Sequence, residues 1–284
     1  MRLASLTVAM ALALCAIAQE LDDKSLKKKI SAVADLRASA QVDALRALLR
    51  NKDYAEAETE TLIQTIFFYE HGLRGSLRSL LTDSSVGDEA FFLLPLIGDP
   101  EDIRFMMHAS PAQQKTFPDQ WAYGVACSLL QPASQDEWDF LRKAALDEFD
   151  DTWSGRGAIQ SLKLIATLES RRILEDVQKK NVQRAQSVSE ALSYIRSRPS
   201  PMTGSNLKEL AVRVGRAATS GIWEGNGEPV FNQAGDKALV SIAFRAERDD
   251  YVYAATFHKI GGAWKLRGLR EISQALIPPI PVKH

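Results

Sequence analysis

Apolar residues fall at Leu21, Leu26, Ile30, Val33 and Leu36, close to helical spacing, with Lys27, Lys28 and Lys29 mostly on the other face. The stripe Val42, Leu45, Leu48 and Leu49 predicts a second helix, which Asn51-Lys52-Asp53 breaks. A third helix is expected from Tyr54 to about Glu70, with Gly72 as its stop, and a shorter one from Leu73 to Leu81. Helix follows helix without a convincing strand.

From about Ser85 to Lys180 one pattern recurs with a period of about 35 residues, in the range of helical repeats. Leu94, Leu129 and Leu164 fall at equal spacing, as do Ile103, Trp138 and Ile173. Between them lie helix-start signals. Gly98-Asp99-Pro100 combines a stop, a cap and a first-turn proline. Ser134 with Glu137 reads as a capping box, and Glu169-Ser170 follows in the third unit. Each unit pairs a long apolar helix with a shorter amphipathic one. The pairs are Asp88–Ile97 (broken or kinked at Pro95) with Pro100–His108, Pro118–Leu130 with Gln135–Leu146, and Gly155–Leu168 with Arg171–Lys180. A further helix over Gln183–Arg196 caps the stack.

The run Leu93-Leu94-Pro95-Leu96-Ile97-Gly98-Asp99-Pro100-Glu101 resembles the HEAT-like and armadillo-like helical repeats in its kinking proline and its Gly-Asp-Pro turn. The resemblance covers residues 20 to 198. It implies an α-α solenoid with a protein-binding surface and carries no catalytic motif.

At Arg198-Pro199-Ser200-Pro201 the composition shifts, marking 199–205 as a linker. One amphipathic helix follows, through Leu207, Leu210, Ala211, Val214 and Ala218. Then the period drops to two, in Val240-x-Ile242-x-Phe244, Tyr251-x-Tyr253-x-Ala255-x-Phe257 and Trp264-x-Leu266. Glu247-Arg248-Asp249-Asp250 turns the first pair and Gly261-Gly262 the second; Ile222–Phe231 adds a short strand. A helix followed by an antiparallel meander, over 206–284, resembles small cystatin-like or nuclear-transport-factor-like α+β domains in layout. The expected fold is mainly α: a solenoid of helical hairpins over 19–198, then this small α+β domain.

Composition changes this picture little. Charged residues at 25% and hydrophobic residues at 45% are ordinary globular values. A net charge of −1 argues against a protein built around a phosphate backbone. The ends change it more. Met1-Arg2, an apolar run to Ala16 and the small-x-small site Ala16-Ile17-Ala18 read as a cleaved secretory signal over 1–18, leaving Gln19 first. Leu12-Ala13-Leu14-Cys15 resembles a bacterial lipobox, though Leu14 stands where that motif wants a small residue. The expected location is periplasmic or secreted, with no membrane span after cleavage. Cys127 is then alone, in an apolar run that favours burial.

Chemistry is sparse. The four histidines, His71, His108, His258 and His284, are scattered, without metal-ligand spacing to a cysteine or carboxylate. The acidic cluster Asp147–Asp151 lacks the alternation and turn glycine of a calcium loop. Gly155-Arg156-Gly157 is too short for a phosphate loop, and close helix contact explains its small residues. No nucleophile elbow is present, so no catalytic residue, metal site or cofactor is assigned. Trp121, Trp138 and Trp153 are candidate binding residues if they face one side of the repeats, with core packing as the competing reading. In the C-terminal sheet Tyr251, Tyr253 and Phe257 share one face, with His258, Lys265 and Arg267 on the other. The expectation is an exported non-enzymatic scaffold or adaptor that binds another protein through its repeats and does not bind nucleic acid. The alternative is a small-ligand or enzymatic pocket in the C-terminal domain using Tyr253, His258 or Arg267.

Overall fold

The structure is a computed structural model describing residues 24–50, 56–97, 99–108, 118–149, 152–198, 200–218, 222–246 and 249–272. Within these, the side chains of 56–60, 118–121, 152–153, 246, 249–250 and 271 are outside the description. The expected signal sequence, Cys15, Asp150, Asp151 and Glu247-Arg248 all lie outside the described residues.

The chain is mostly helical, with an antiparallel sheet near its C-terminal end. The helices are α1 (24–34), α2 (Ala38–Leu49), α3 (Glu56–Phe68), α4 (Glu70–Leu80), α5 (Gly87–Ile97) and α6 (Pro100–Met107). Then come α7 (Pro118–Ser128), α8 (Gln135–Ala145), α9 (Thr152–Ile165), α10 (Leu168–Lys180), α11 (Ala185–Ser197) and α12 (Leu207–Ala218).

Local chemistry sets several of these boundaries. Asp99 caps α6 by accepting from Glu101 N, with Pro100 in the first turn. Ser134 caps α8 by accepting from Glu137 N, while the Glu137 carboxylate reaches back to Ala133 N. For α10 the cap is Thr167, which accepts from Ser170 N. The α3/α4 boundary differs from expectation. Gly72 does not end a helix; the chain bends at Tyr69 (φ −94°, ψ 17°) and α4 begins at Glu70. Glu70 is buried there, with its carboxylate 2.9 Å from Lys237 Nζ. A partner 167 positions away outweighs the local glycine signal. Pro95 sits inside α5 rather than ending it.

The strands are β1 (Thr203–Gly204), β2 (Ile222–Asn226), β3 (Val230–Phe231), β4 (Lys237–Ala246), β5 (Asp249–Ile260) and β6 (Ala263–Glu271). They are antiparallel in the order β1-β6-β5-β4-β2, with β3 also on β4. Gly261 (φ 60°) and Gly262 (φ 80°) turn β5 into β6 in the left-handed conformation that favours glycine. Residues 200–205 form a packed connection. Within it β1 pairs with β6, Leu266 N donates to Met202 O, and Ser200 Oγ donates to Leu164 O.

Period-two alternation gives the sheet two buried faces. Ala238, Val240, Ile242, Ala255, Phe257, Leu266 and Leu269 pack with Leu207, Leu210, Ala211 and Val214 of α12. Leu239 and Ala254 face the other way and join the core of the helical part, as does Ile272 beyond β6. Through that second face the sheet rests on α5 and α7.

Candidate interaction surface

Two rows of helix emerge from the packing. α5 packs on α7 and α7 on α9, and α5 and α7 also meet the sheet. Along α5 only Asp88 is exposed, and the described side chains of α7, Ala122 to Ser128, are buried except for half-buried Tyr123. Contact between α7 and α9 is close because Gly157 has no side chain. A Cβ there would sit 2.7 Å from Cys127 Sγ, which is buried. Ser161 Oγ on α9 donates to Ala126 O at 2.6 Å.

The other row is α6, α8 and α10, each with a run of exposed residues. Arg104 and Phe105 stand out from α6, Arg142 and Lys143 from α8, and Arg171, Arg172, Lys179 and Lys180 from α10. The row is laced by ion pairs between successive helices. Arg104 Nε on α6 lies 2.8 Å from Glu137 of α8, and Arg142 Nη2 on α8 lies 2.6 Å from Asp176 of α10. These partners are 33 and 34 residues apart. Phe105 is 48% exposed, with the Arg78 guanidinium 5.8 Å from its ring centre.

The structure separates the residues expected to bind. Trp138 is half-buried and packs on the helical core. Trp121 lies on α7 and Trp153 on α9, with their side chains outside the description. Tyr253 lies on the α12 side of the sheet, its ring centre 4.9 Å from that of Phe244. His258 and Arg267 lie together on the side facing α5 and α7. His258 Nε2 is 3.2 Å from Ile97 O, and Arg267 Nη1 donates to Gln131 Oε1. Burial holds the His258 imidazole down at about 4, with Lys237 and Arg267 adding repulsion and the Ile97 carbonyl opposing. A cavity of about 20 Å³ lies beside Arg267, between α6 and the chain around Gln131. That is room for about one water molecule.

Among the described residues no three His, Cys, Asp or Glu side chains group to hold a metal ion. Asp147, from the acidic cluster, is engaged by Arg184 at 2.9 Å and by Asn181 at 2.9 Å. Also among the described residues, no helix is long and apolar enough to cross a membrane.

Comparison with protein-family models finds no match, and comparisons with curated proteins and with solved structures find none either.

Sequence reasoning missed the outer row because its exposed residues read only as polar faces of amphipathic helices. Arg270 was missed too. It lies in β6, 2% exposed, with Nη1 donating to Phe91 O at 3.1 Å and its guanidinium 4.5 Å from the Phe92 ring centre. Burial lowers its pKa to about 10, so it stays charged near neutral pH. A register shift in β5/β6 at Thr256/Phe257 places Leu269 with Leu266 on the α12 side and Arg270 on the other. Strict alternation from Trp264 and Leu266 predicts the reverse.

Proposed function

We propose that the protein is an exported, non-enzymatic scaffold that binds another protein through the outer row α6–α8–α10. In this reading the helical part is a solenoid of hairpins similar to HEAT-like and armadillo-like repeats. The ion pairs recurring at 33 and 34 residues support that repeat. One observation carries the choice of surface. The sheet covers the inner row on α5 and α7, leaving α6, α8 and α10 exposed. Phe105 gives that row an aromatic anchor among arginines, residue types enriched at protein–protein interfaces. Export rests on the Met1–Ala18 pattern. The other reading, a pocket within the C-terminal sheet, has less in its favour, since α12 covers one face and α5 and α7 the other.

The test uses chain beginning at Gln19 as bait in secreted or periplasmic extract. A partner recovered by the wild type should bind at least tenfold more weakly to Phe105→Glu and to Arg172→Glu. It should bind equally to Lys259→Ala, a change on the sheet. Retention by both outer-row variants, or turnover of a small molecule with no partner recovered, overturns the proposal.

A further inference from the structure

Two cations lie over the Tyr194 ring, and a third acts on its phenol at longer range. Lys163 Nζ of α9 lies 5.3 Å from the Tyr194 ring centre, and Arg198 Cζ, just past α11, lies 5.6 Å from it. Burial raises the Tyr194 phenol pKa while Arg198 and Arg213 both oppose the rise, which puts Arg213 of α12 in the same field. Arg213 Nη2 donates to Thr203 O at 2.7 Å. Among the described residues none of these cations is within ion-pair distance of a carboxylate; Glu190 acts on Lys163 only at longer range. Like charges gathered around one ring repel one another, and an anion beside them removes that cost.

Arg213 also forms part of the wall of a groove of about 530 Å³, between residues 203–206 and the first turns of α12. That volume lies within the range of small-molecule sites. The groove opens at the positive end of the α12 dipole. The Thr203 and Ser205 hydroxyls offer donors and acceptors, and the Glu209 carboxylate, on the same wall, is an acceptor for ligand hydroxyls. Asn206 Oδ1 is already used, accepting from Lys208 N at 3.0 Å.

We propose that the groove and the Lys163–Arg198–Arg213 cluster bind a small hydroxyl-bearing anion, a sugar phosphate or a sugar acid. The anionic group sits against the cations and the hydroxyls lie along residues 203–206 toward Glu209. This site is separate from the α6–α8–α10 row, so its failure and that of the scaffold reading are distinguishable.

The test is calorimetric titration of the full chain with four probes: a hexose 6-phosphate, a hexuronate, the neutral hexose and inorganic phosphate. At least one of the first two should bind at a single site with a dissociation constant in the millimolar range or tighter. The neutral hexose should not bind, and inorganic phosphate should bind at least tenfold more weakly than the hexose 6-phosphate. Binding by only one of the charged sugars supports the site and assigns the anion as phosphate or carboxylate. Arg198→Ala and Arg213→Ala remove exposed side chains, so far-UV circular dichroism should stay unchanged while affinity falls at least tenfold. Arg216→Ala, on the same helix but stacked 5.1 Å from the Trp223 ring centre, should bind as the wild type does. Absence of binding by both charged sugars, equal binding of the neutral hexose, equal binding of inorganic phosphate, or full affinity in both variants would each overturn the proposal.

Discussion

His258 carries a pH dependence whose sign follows from its place under α5. Burial first, then Lys237 and Arg267, hold its pKa at about 4 against an ordinary value of 6.5, with the Ile97 carbonyl and Asp99 opposing. Between those values the unfolded chain binds a proton that the folded chain refuses, so stability falls as pH drops from 6.5 towards 4. At about 1.4 kcal/mol per pH unit, the cost at pH 4.5 is roughly 2 kcal/mol relative to pH 7. His258→Asn removes the titrating group, so its stability loss over that interval should be smaller by about that amount. Urea denaturation of both proteins at pH 7 and pH 4.5 measures this, the other acid-titrating groups being common to the two. Parallel profiles would mean that the imidazole is protonated in the folded state without penalty. The residue scale also holds what sequence conceals most. Strict alternation puts Arg270 on the α12 side with Trp264 and Leu266 until the β5/β6 register shift turns it towards α5, and that shift has no one-residue signature. The cluster around Tyr194 is equally hidden, because Lys163 and Arg198 reach its ring, and Arg213 its neighbourhood, only once α9, α11 and α12 have packed.

Among elements, α4 and α6 are joined through Asp102, which is buried on α6 and takes Arg74 Nε at 2.7 Å and Arg78 Nε from α4. Burial raises its carboxyl pKa and the two arginines counter that rise. Asp102→Ala removes the buried carboxylate shared by both guanidinium groups, while Arg74 keeps Asp99 at 2.8 Å and Glu101 at 3.2 Å, and should cost about 1–3 kcal/mol in chemical denaturation. Arg171→Ala, in contrast, breaks only an exposed pair with Glu175 on α10 and should cost less than about 0.5 kcal/mol. Equal losses would show that burial of Asp102 is irrelevant to the strength of the joint. A third test concerns α7 against α9. Gly157→Val puts methyl groups where Cys127 Sγ and Tyr123 already lie, and overpacking of this kind costs about 1–3 kcal/mol. These elements were legible in proportion to how local their causes are. Asp99-Pro100, Ser134 with Glu137, and Gly261-Gly262 act within a few residues and stand where the sequence places them. The α3/α4 boundary was not legible, since Lys237 and Asn232 hold Glu70 from the far end of the chain. The proposed binding surface was not legible, because the sheet that covers α5 and α7 is encoded more than a hundred residues later.

For the whole molecule, the seam between sheet and helices decides how the chain unfolds. Leu239, Ala254 and Ile272 belong to one core cluster with Phe91 and Leu94 of α5 and Val125 of α7. Polar groups cross the same seam: Thr256 Oγ1 donates to Leu96 O, Gln233 N donates to Phe68 O at 2.9 Å, and Asn232 Nδ2 donates to Glu70 Oε1 at 3.2 Å. Gly268 allows the approach, for a Cβ there would lie 3.0 Å from Pro95 O. Separating the two parts would strand Glu70 without Lys237 and leave the guanidinium of Arg270 without the Phe91 carbonyl, so each part depends on the other. The inner row and the sheet should therefore open together, and hydrogen exchange measures this amide by amide. Amides of α7 and β5 should exchange through one global opening with equal free energies, while the exposed first turn of α10 opens more easily. A chain ending at Ser197 leaves α5 and α7 bare and should bind a hydrophobic dye and lose its sharp thermal transition. If that fragment melts as sharply as the full chain, and β5 exchanges well before α7, the seam is a contact between two independent units.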